Sequence, residues 1–409
     1  MENYNFNRKN NGITLIALVV SIIVLLILAG ISISMLSGEN GILNRATEAK
    51  EEIQKSSIEE QKKLSIMEAQ SNFDETNYNG VKIPSGFAPT KIKGEDTIND
   101  GLVITDSYGN EYVWIEVPKS IMSDNLKFEN QNDYITLTSE LKNYAYPYTK
   151  GKDSQNYSWA DEFYTNCGIE NEEKYNELYK KMLKSIYTNS GFWISRYEAG
   201  IAGTTNEHLN SNLVRTNYSP ITNSSPKAIS QKNAIPYNHI YCNEAQLLAS
   251  QMINSSKYTS SLLFGIQWDL VCKFLETNSS LDVSDINSNS TNWGNYKVIS
   301  FDLKYGKYSP TPLENNSWKS TNANFSKPSN TSILLSTGIT ERNKILNIYD
   351  FAGNEYEFTL EHANTNASSD CAYRGGFCNN SDYNFPASVR YNCPSTFSDF
   401  GISFRITIF

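Results

Sequence analysis

From Ile13 to Met35 the chain carries no charged residue and reads ITLIALVVSIIVLLILAGISISM. Such a run has few options. In hydrocarbon the backbone finds no water, so each N–H and C=O must be paired internally, and a lone segment manages this only as a helix. At a rise of ~1.5 Å per residue the run matches the ~30 Å apolar thickness of a bilayer. Arg8 and Lys9 precede it and the next charge is Glu39. The positive side stays cytoplasmic, which sends the large remainder outside. The expectation is a single-pass transmembrane helix over 13–36 with an extracellular head.

The junction of Gly12 with Ile13-Thr14-Leu15-Ile16 resembles the leader boundary of type IV prepilins, which a prepilin peptidase cuts after glycine. The resemblance implies a leader over 1–12, cleavage between Gly12 and Ile13, a bacterial membrane and contact with other pilin subunits. Where the family usually carries a glutamate, this chain has Ala17. Without that carboxylate the new terminal amine would sit unpaired in an apolar bundle, which costs several kcal/mol. A minor pilin or pilin-like anchor therefore fits better than a main filament subunit, with an ordinary signal anchor as the alternative.

Residues 37–75 are rich in helix formers. Ile42, Ala46, Ala49 and Ile53 recur at helical spacing, followed by Leu64 and Met67, while the charges between them alternate in sign. This reads as an amphipathic stalk.

From Asn79 onward the pattern turns to short strands and turns. GLVITDSYGNEYVWIEVP holds two apolar runs around Tyr108-Gly109-Asn110, a hairpin signal, with Tyr112, Trp114 and Glu116 on one face and Val113, Ile115 and Val117 on the other. GFWISRYEAG is a further strand. Helices look few: Ala245, Leu248 and Met252 form one core stripe, and Phe264, Trp268, Val271 and Leu275 a second. The Asn/Ser-rich stretches 119–190 and 278–330 read as long insertions or loops, although Trp293 and Trp318 lie within them.

A net charge of -9 with no basic stripe argues against a nucleic-acid partner. The 26 tyrosines, with abundant Asn and Ser, give a hydrogen-bonding surface suited to recognition. The six cysteines and three histidines show no zinc-ligand spacing. Cys371, Cys378 and Cys393 crowd one region, either as a disulfide in an extracellular domain or as small buried thiols.

EYVWIEV, GFWISRYEAG, LLFGIQWDLVCKFL, NIYDFAGNEYEFTLE, YRGGF and FGISFRITIF follow one another along residues 79–409. In this order they resemble the formylglycine-generating enzyme, or sulfatase-modifying factor, domain. The resemblance implies an α+β head of C-type lectin-like fold. It departs at Ser403, where a glycine is common before Phe404-Arg405. The enzymes of that family are copper-dependent oxidases that use two thiolates close behind the RGG segment, a soft ligand pair for Cu(I). Here Cys378 follows Gly376 too soon, the next cysteine is Cys393, and Asn, Ser, Asp and Tyr fill the expected positions. The copper pair is not reproduced, so a catalytically inactive relative is expected, with a copper oxidase as the alternative should Cys378 and Cys393 meet in space.

A face without that chemistry can still hold a ligand. The candidate contacts are Phe377, Cys378, Asn379, Asn380, Ser381, Asp382, Tyr383, Tyr391, Asn392, Phe397, Ser398, Asp399 and Phe400. Tyr and Asn on irregular loops give large contact area and adaptable hydrogen bonds. The partner would be an extracellular protein or glycan. The spacing also resembles variable proteins of diversity-generating retroelements, in which such residues alternate with a fixed framework; an Asn/Tyr-rich composition would give the same pattern. The family resemblance further implies a structural calcium at Asp350, Gly353 and Glu357, for which a capped turn with solvated acids is the alternative. Arg374, Arg390 and Arg405 read as buried donors to carboxylate or backbone. The functional expectation is a non-catalytic, surface-displayed binding protein; a structural minor pilin is a further alternative.

Overall fold

The computed structural model describes residues 15–37, 41–72, 74–150, 157–206, 210–312, 317–321, 324–364, 370–381 and 384–409. The chain divides into two compact units, Met1–Lys63 and Leu64–Phe409. The expected leader and the Gly12–Ile13 junction lie outside the described residues.

In the first unit a helix runs Leu15–Ser37, and its described side chains, Leu18 to Ile31, are exposed. Among the described residues no helix is long and apolar enough to cross a membrane. A second helix, Ile42–Ser71, forms as the helix-forming composition predicts. Its apolar residues Ile42 and Ile53 are exposed in the first unit, and its end from Leu64 belongs to the second, where Leu64 and Met67 are exposed. Small residues, Ser65 and Ala69, are buried instead.

The second unit is mixed α/β. Its larger sheet has six antiparallel strands in the order Ser260–Leu262, Ile406–Ile408, Gly191–Ser195, Glu111–Glu116, Val103–Asp106 and Phe87–Pro89. The hairpin at Tyr108 forms because the Asp106 carboxylate accepts the backbone N–H groups of Tyr108 (2.9 Å) and Asn110 (2.8 Å), closing the turn. In its second strand Tyr112 to Ile115 are buried on both faces, as suits a strand in mid-sheet. The core helices form at Cys242–Ser250 and Gly265–Asn278, with Ala245, Trp268, Val271 and Leu275 fully buried.

The smaller sheet places Arg390–Cys393, Cys371–Arg374, Tyr356–Asn364 and Ile402–Phe404 side by side, the last pairing parallel, and Ser158–Ala160 joins the far end of Tyr356–Asn364. The terminal strand breaks at Arg405, so its two halves serve different sheets. Ser403 is accommodated with its hydroxyl 3.4 Å from the Ala199 carbonyl.

The two Asn/Ser-rich stretches are not loops. Region 119–190 contains the helices Gln131–Tyr144 and Glu172–Asn189, each opened by an asparagine cap. Leu137 and Leu141 of the first, and Tyr175, Met182 and Ile186 of the second, are buried. Region 278–330 carries a short helix, Val283–Asn287, and four strands between Phe301 and Lys327, with Trp293 and Trp318 buried.

Candidate functional site

Beneath the smaller sheet lies a closed ring of charge. Asp269 accepts from Arg374 (2.7 Å) and Arg390 (2.6 Å), and Glu361 accepts from the same two guanidinium groups at 3.2 and 2.9 Å. Arg405 grips Glu357 at 2.7 Å. All of these side chains are buried, as expected for the three arginines. The arginines hold the Glu361 carboxyl below its usual range against its burial, whereas for Asp269 burial outweighs the same partners and raises it. Spare guanidinium protons go to backbone: Arg374 donates to the Val389 and Ser388 carbonyls at 2.9 and 3.1 Å. The ring therefore fixes the sheet and the end of the loop it emits.

That loop, 375–389, leaves the sheet at two glycines with φ of 93° and 76°. At Gly376 a Cβ would meet the Phe385 carbonyl at 2.6 Å, so the position needs both the left-handed backbone and the missing side chain. The Tyr296 hydroxyl lies 3.0 Å from the Gly375 carbonyl and 2.8 Å from that of Phe385. Trp268 donates its indole N–H to Ala387 O at 3.0 Å. Gly353 N–H reaches Gly375 O (2.8 Å), and Cys378 N–H reaches Asn354 O (3.0 Å).

Over this frame lies a layer of rings. Tyr356 stands 4.6 Å from Tyr373, 4.9 Å from Phe377 and 6.3 Å from Phe385, centroid to centroid. Tyr391 is 5.4 Å from Tyr373 and 6.2 Å from Phe385, and Phe400 is 6.0 Å from Phe377. Tyr356 and Tyr373 are buried; Phe377, Phe385, Tyr391 and Phe400 are half-buried; Phe397 is 41% exposed. In the same segments Asn379, Ser398 and Asp399 are half-buried and Ser381 is exposed, whereas Asn392 is half-buried on the face of its strand opposite Tyr391.

Two expected contacts are corrected. Cys378 is fully buried, its sulfur 3.5 Å from Ser332 Oγ and its thiol pushed up by burial to about 12. Asn380 is buried and accepts the Phe377 N–H at 2.7 Å, making it part of the turn. Asp382 and Tyr383 lie outside the described residues. Tyr356, Tyr373 and Phe385 belong to the layer but were missed. The available signal was the ring pair Tyr373 and Tyr391 in the strands on either side of RGG; Tyr356 and Phe385 carry no comparable local mark.

Cys378 and Cys393 occupy different surroundings, for Cys393 stands opposite Cys371 in the sheet. The calcium set does not fit either. Both Glu357 oxygens are taken by Arg405, so a cation already sits there. Asp350 accepts from Gly338 N–H at 2.7 Å and from the Asn343 amide at 3.1 Å. At Gly353 a Cβ would meet Asn295 O at 2.4 Å, so its glycine is explained by packing. Among the described residues no group of three or more His, Cys, Asp or Glu is placed to hold a metal ion.

No protein-family profile and no curated protein matches the chain. Among solved structures, a crystal structure of CarF aligns at a TM-score of 0.31 and 12% identity, covering 53% of this chain and 86% of its own. Treponema denticola variable protein 1 aligns at a TM-score of 0.23 and 12% identity, covering 82% of this chain and 98% of its own.

Proposed function

We propose that the ring layer and its polar rim form the binding face of a non-catalytic, surface-displayed protein whose head is a C-type lectin-like domain of the formylglycine-generating enzyme type. The observation that carries this reading is the layer of four half-buried rings, with the exposed Phe397 three residues before Phe400 and asparagine, serine and aspartate in the same segments, on a backbone fixed from below. Aromatic rings on rigid elements supply contact area at little entropic cost, and the polar rim supplies direction. The partner is an extracellular protein or glycan. The head is carried by a pilin-like segment in a bacterial membrane.

The test is a screen of the full chain on arrays of surface proteins and of polysaccharide fragments. A reproducible ligand should be lost in Tyr391→Ala and Phe397→Ser, and kept in Tyr134→Ala, whose ring lies on the Gln131–Tyr144 helix. Oxidation of a cysteine-containing peptide by the Cu(I)-loaded protein would instead make it an oxidase. Mass spectrometry of the mature protein should find Ile13 at its amino terminus; a chain starting at Met1 would favour an ordinary signal anchor. If the face is diversified, a near-repeat of the segment coding for 373–409 should lie beside a reverse-transcriptase gene. Its absence would remove diversification and leave binding standing.

A further inference from the structure

Three thiols gather at the edge of the smaller sheet, at the opposite end of its strands from the glycine loop. Cys371 and Cys393 are directly paired across the antiparallel strands that carry them, so their side chains leave the same face of the sheet. Cys242, the first residue of its helix, lies nearby: the Tyr164 hydroxyl is 3.3 Å from the Cys242 sulfur and 3.4 Å from that of Cys371. Burial raises the Cys371 thiol, and the neighbouring Cys242 and Cys393 thiols both act on it electrostatically. Cys371 and Cys242 are fully buried, and Cys393 keeps 5% of its surface.

The geometry points to a redox site at which Cys371 and Cys393 close as a cross-strand disulfide, bracing the strands that bound the 375–389 loop. Directly opposed residues in an antiparallel pair have Cα atoms ~4.5 or ~5.5 Å apart, and both spacings fall within the ~4.4–6.8 Å span of disulfides. Their Cβ atoms, ~4.5–5.5 Å apart in a sheet, need draw together by about 1–2 Å to reach the ~3.8 Å typical of a disulfide. Of the three, Cys393 alone keeps any exposed surface, so it is the one a dissolved oxidant meets first.

The step is thiol–disulfide exchange with a small-molecule disulfide. The Cys393 thiolate attacks one sulfur of that reagent, forming a mixed disulfide and expelling the first small thiolate. The Cys371 thiolate then attacks Cys393 Sγ, the protein S–S bond forms and the second small thiolate leaves. The two cysteine protons end on the two released thiols, so the cysteines are oxidised and the reagent reduced. Closing the loop would cut the conformational freedom of the binding face before any ligand arrives. The thiol geometry stands without the binding proposal, and its failure would leave that proposal intact.

To test it, the full chain is treated under native conditions with oxidised glutathione. Remaining thiols are alkylated after denaturation, and the peptides are mapped by mass spectrometry. One pair of titratable thiols should be lost, with a cross-link joining the peptides of Cys371 and Cys393. Cys378→Ser, which leaves the triad untouched, should cross-link as the parent does, and Cys393→Ser should keep its remaining thiols free. Full alkylation of the treated parent protein, or a cross-link that uses Cys242 or Cys378 in place of Cys393, would overturn the assignment.

Discussion

The carboxyl-terminal segment holds two regions of opposite character within a few residues of one another. On the inner side of the sheet, Arg374, Arg390 and Arg405 are wholly buried and saturated by carboxylates and carbonyls. On the outer side, Phe377, Tyr391, Phe397 and Phe400 meet solvent in part, among short polar side chains. The difference teaches where change is tolerated. An inner position has partners that suffer when it is removed, while an outer one has mainly water.

The strongest test of that contrast breaks the charged ring. Arg374→Met leaves Asp269 and Glu361 with one guanidinium between them, and an uncompensated buried charge costs about 3–5 kcal/mol. Denaturant unfolding should register a loss of that size. A smaller effect is expected at Gly376→Ala, where the methyl meets the Phe385 carbonyl and the backbone is left-handed. The cost should be about 1–3 kcal/mol, with the loop's protection from hydrogen exchange falling first.

A pH profile sharpens the comparison beside Asp399, whose carbonyl accepts the His239 backbone N–H at 3.0 Å. Burial, and then the nearby Arg215 guanidinium, lower the pKa of His239 from 6.5 to about 4. The unfolded chain binds this proton first, so stability should fall as pH drops from about 6.5 towards about 4. His239→Asn should flatten that part of the profile, since asparagine tolerates the positive φ of 50° found there. The smallest effect on stability is expected at Phe397→Ser, within about 0.5 kcal/mol by thermal or chemical unfolding, although ligand binding should be lost. Were the serine variant strongly destabilised, the outer face would be structural after all.

Much of the inner region was legible in the sequence. The arginines, the glycine pair, the hairpin at Tyr108 and the stripe Trp268-Val271-Leu275 each carry a local signature, and each stands where that signature puts it. The helix Glu172–Asn189 was hidden because its buried Tyr175, Met182 and Ile186 are spaced among lysines, glutamates and asparagines. Its region was judged by composition rather than by period. The calcium reading failed for another reason, since a carboxylate in sequence does not say whether its neighbour will be a metal or Arg405. Strand register was illegible too: the pairing of Cys371 with Cys393 depends on how the chain between them folds back.

The course of the 375–380 segment is set largely by main-chain atoms: Gly375 O with Gly353 N–H, Cys378 N–H with Asn354 O, Asn380 O with Lys297 N–H. A path anchored in this way is indifferent to what its outward side chains are, so an exposed position such as Ser381 can trade chemistry while the segment keeps its trace. Asn380 is the exception, because its own side chain holds Phe377. The chemistry of this surface can therefore change one side chain at a time, with no rebuilding of the scaffold.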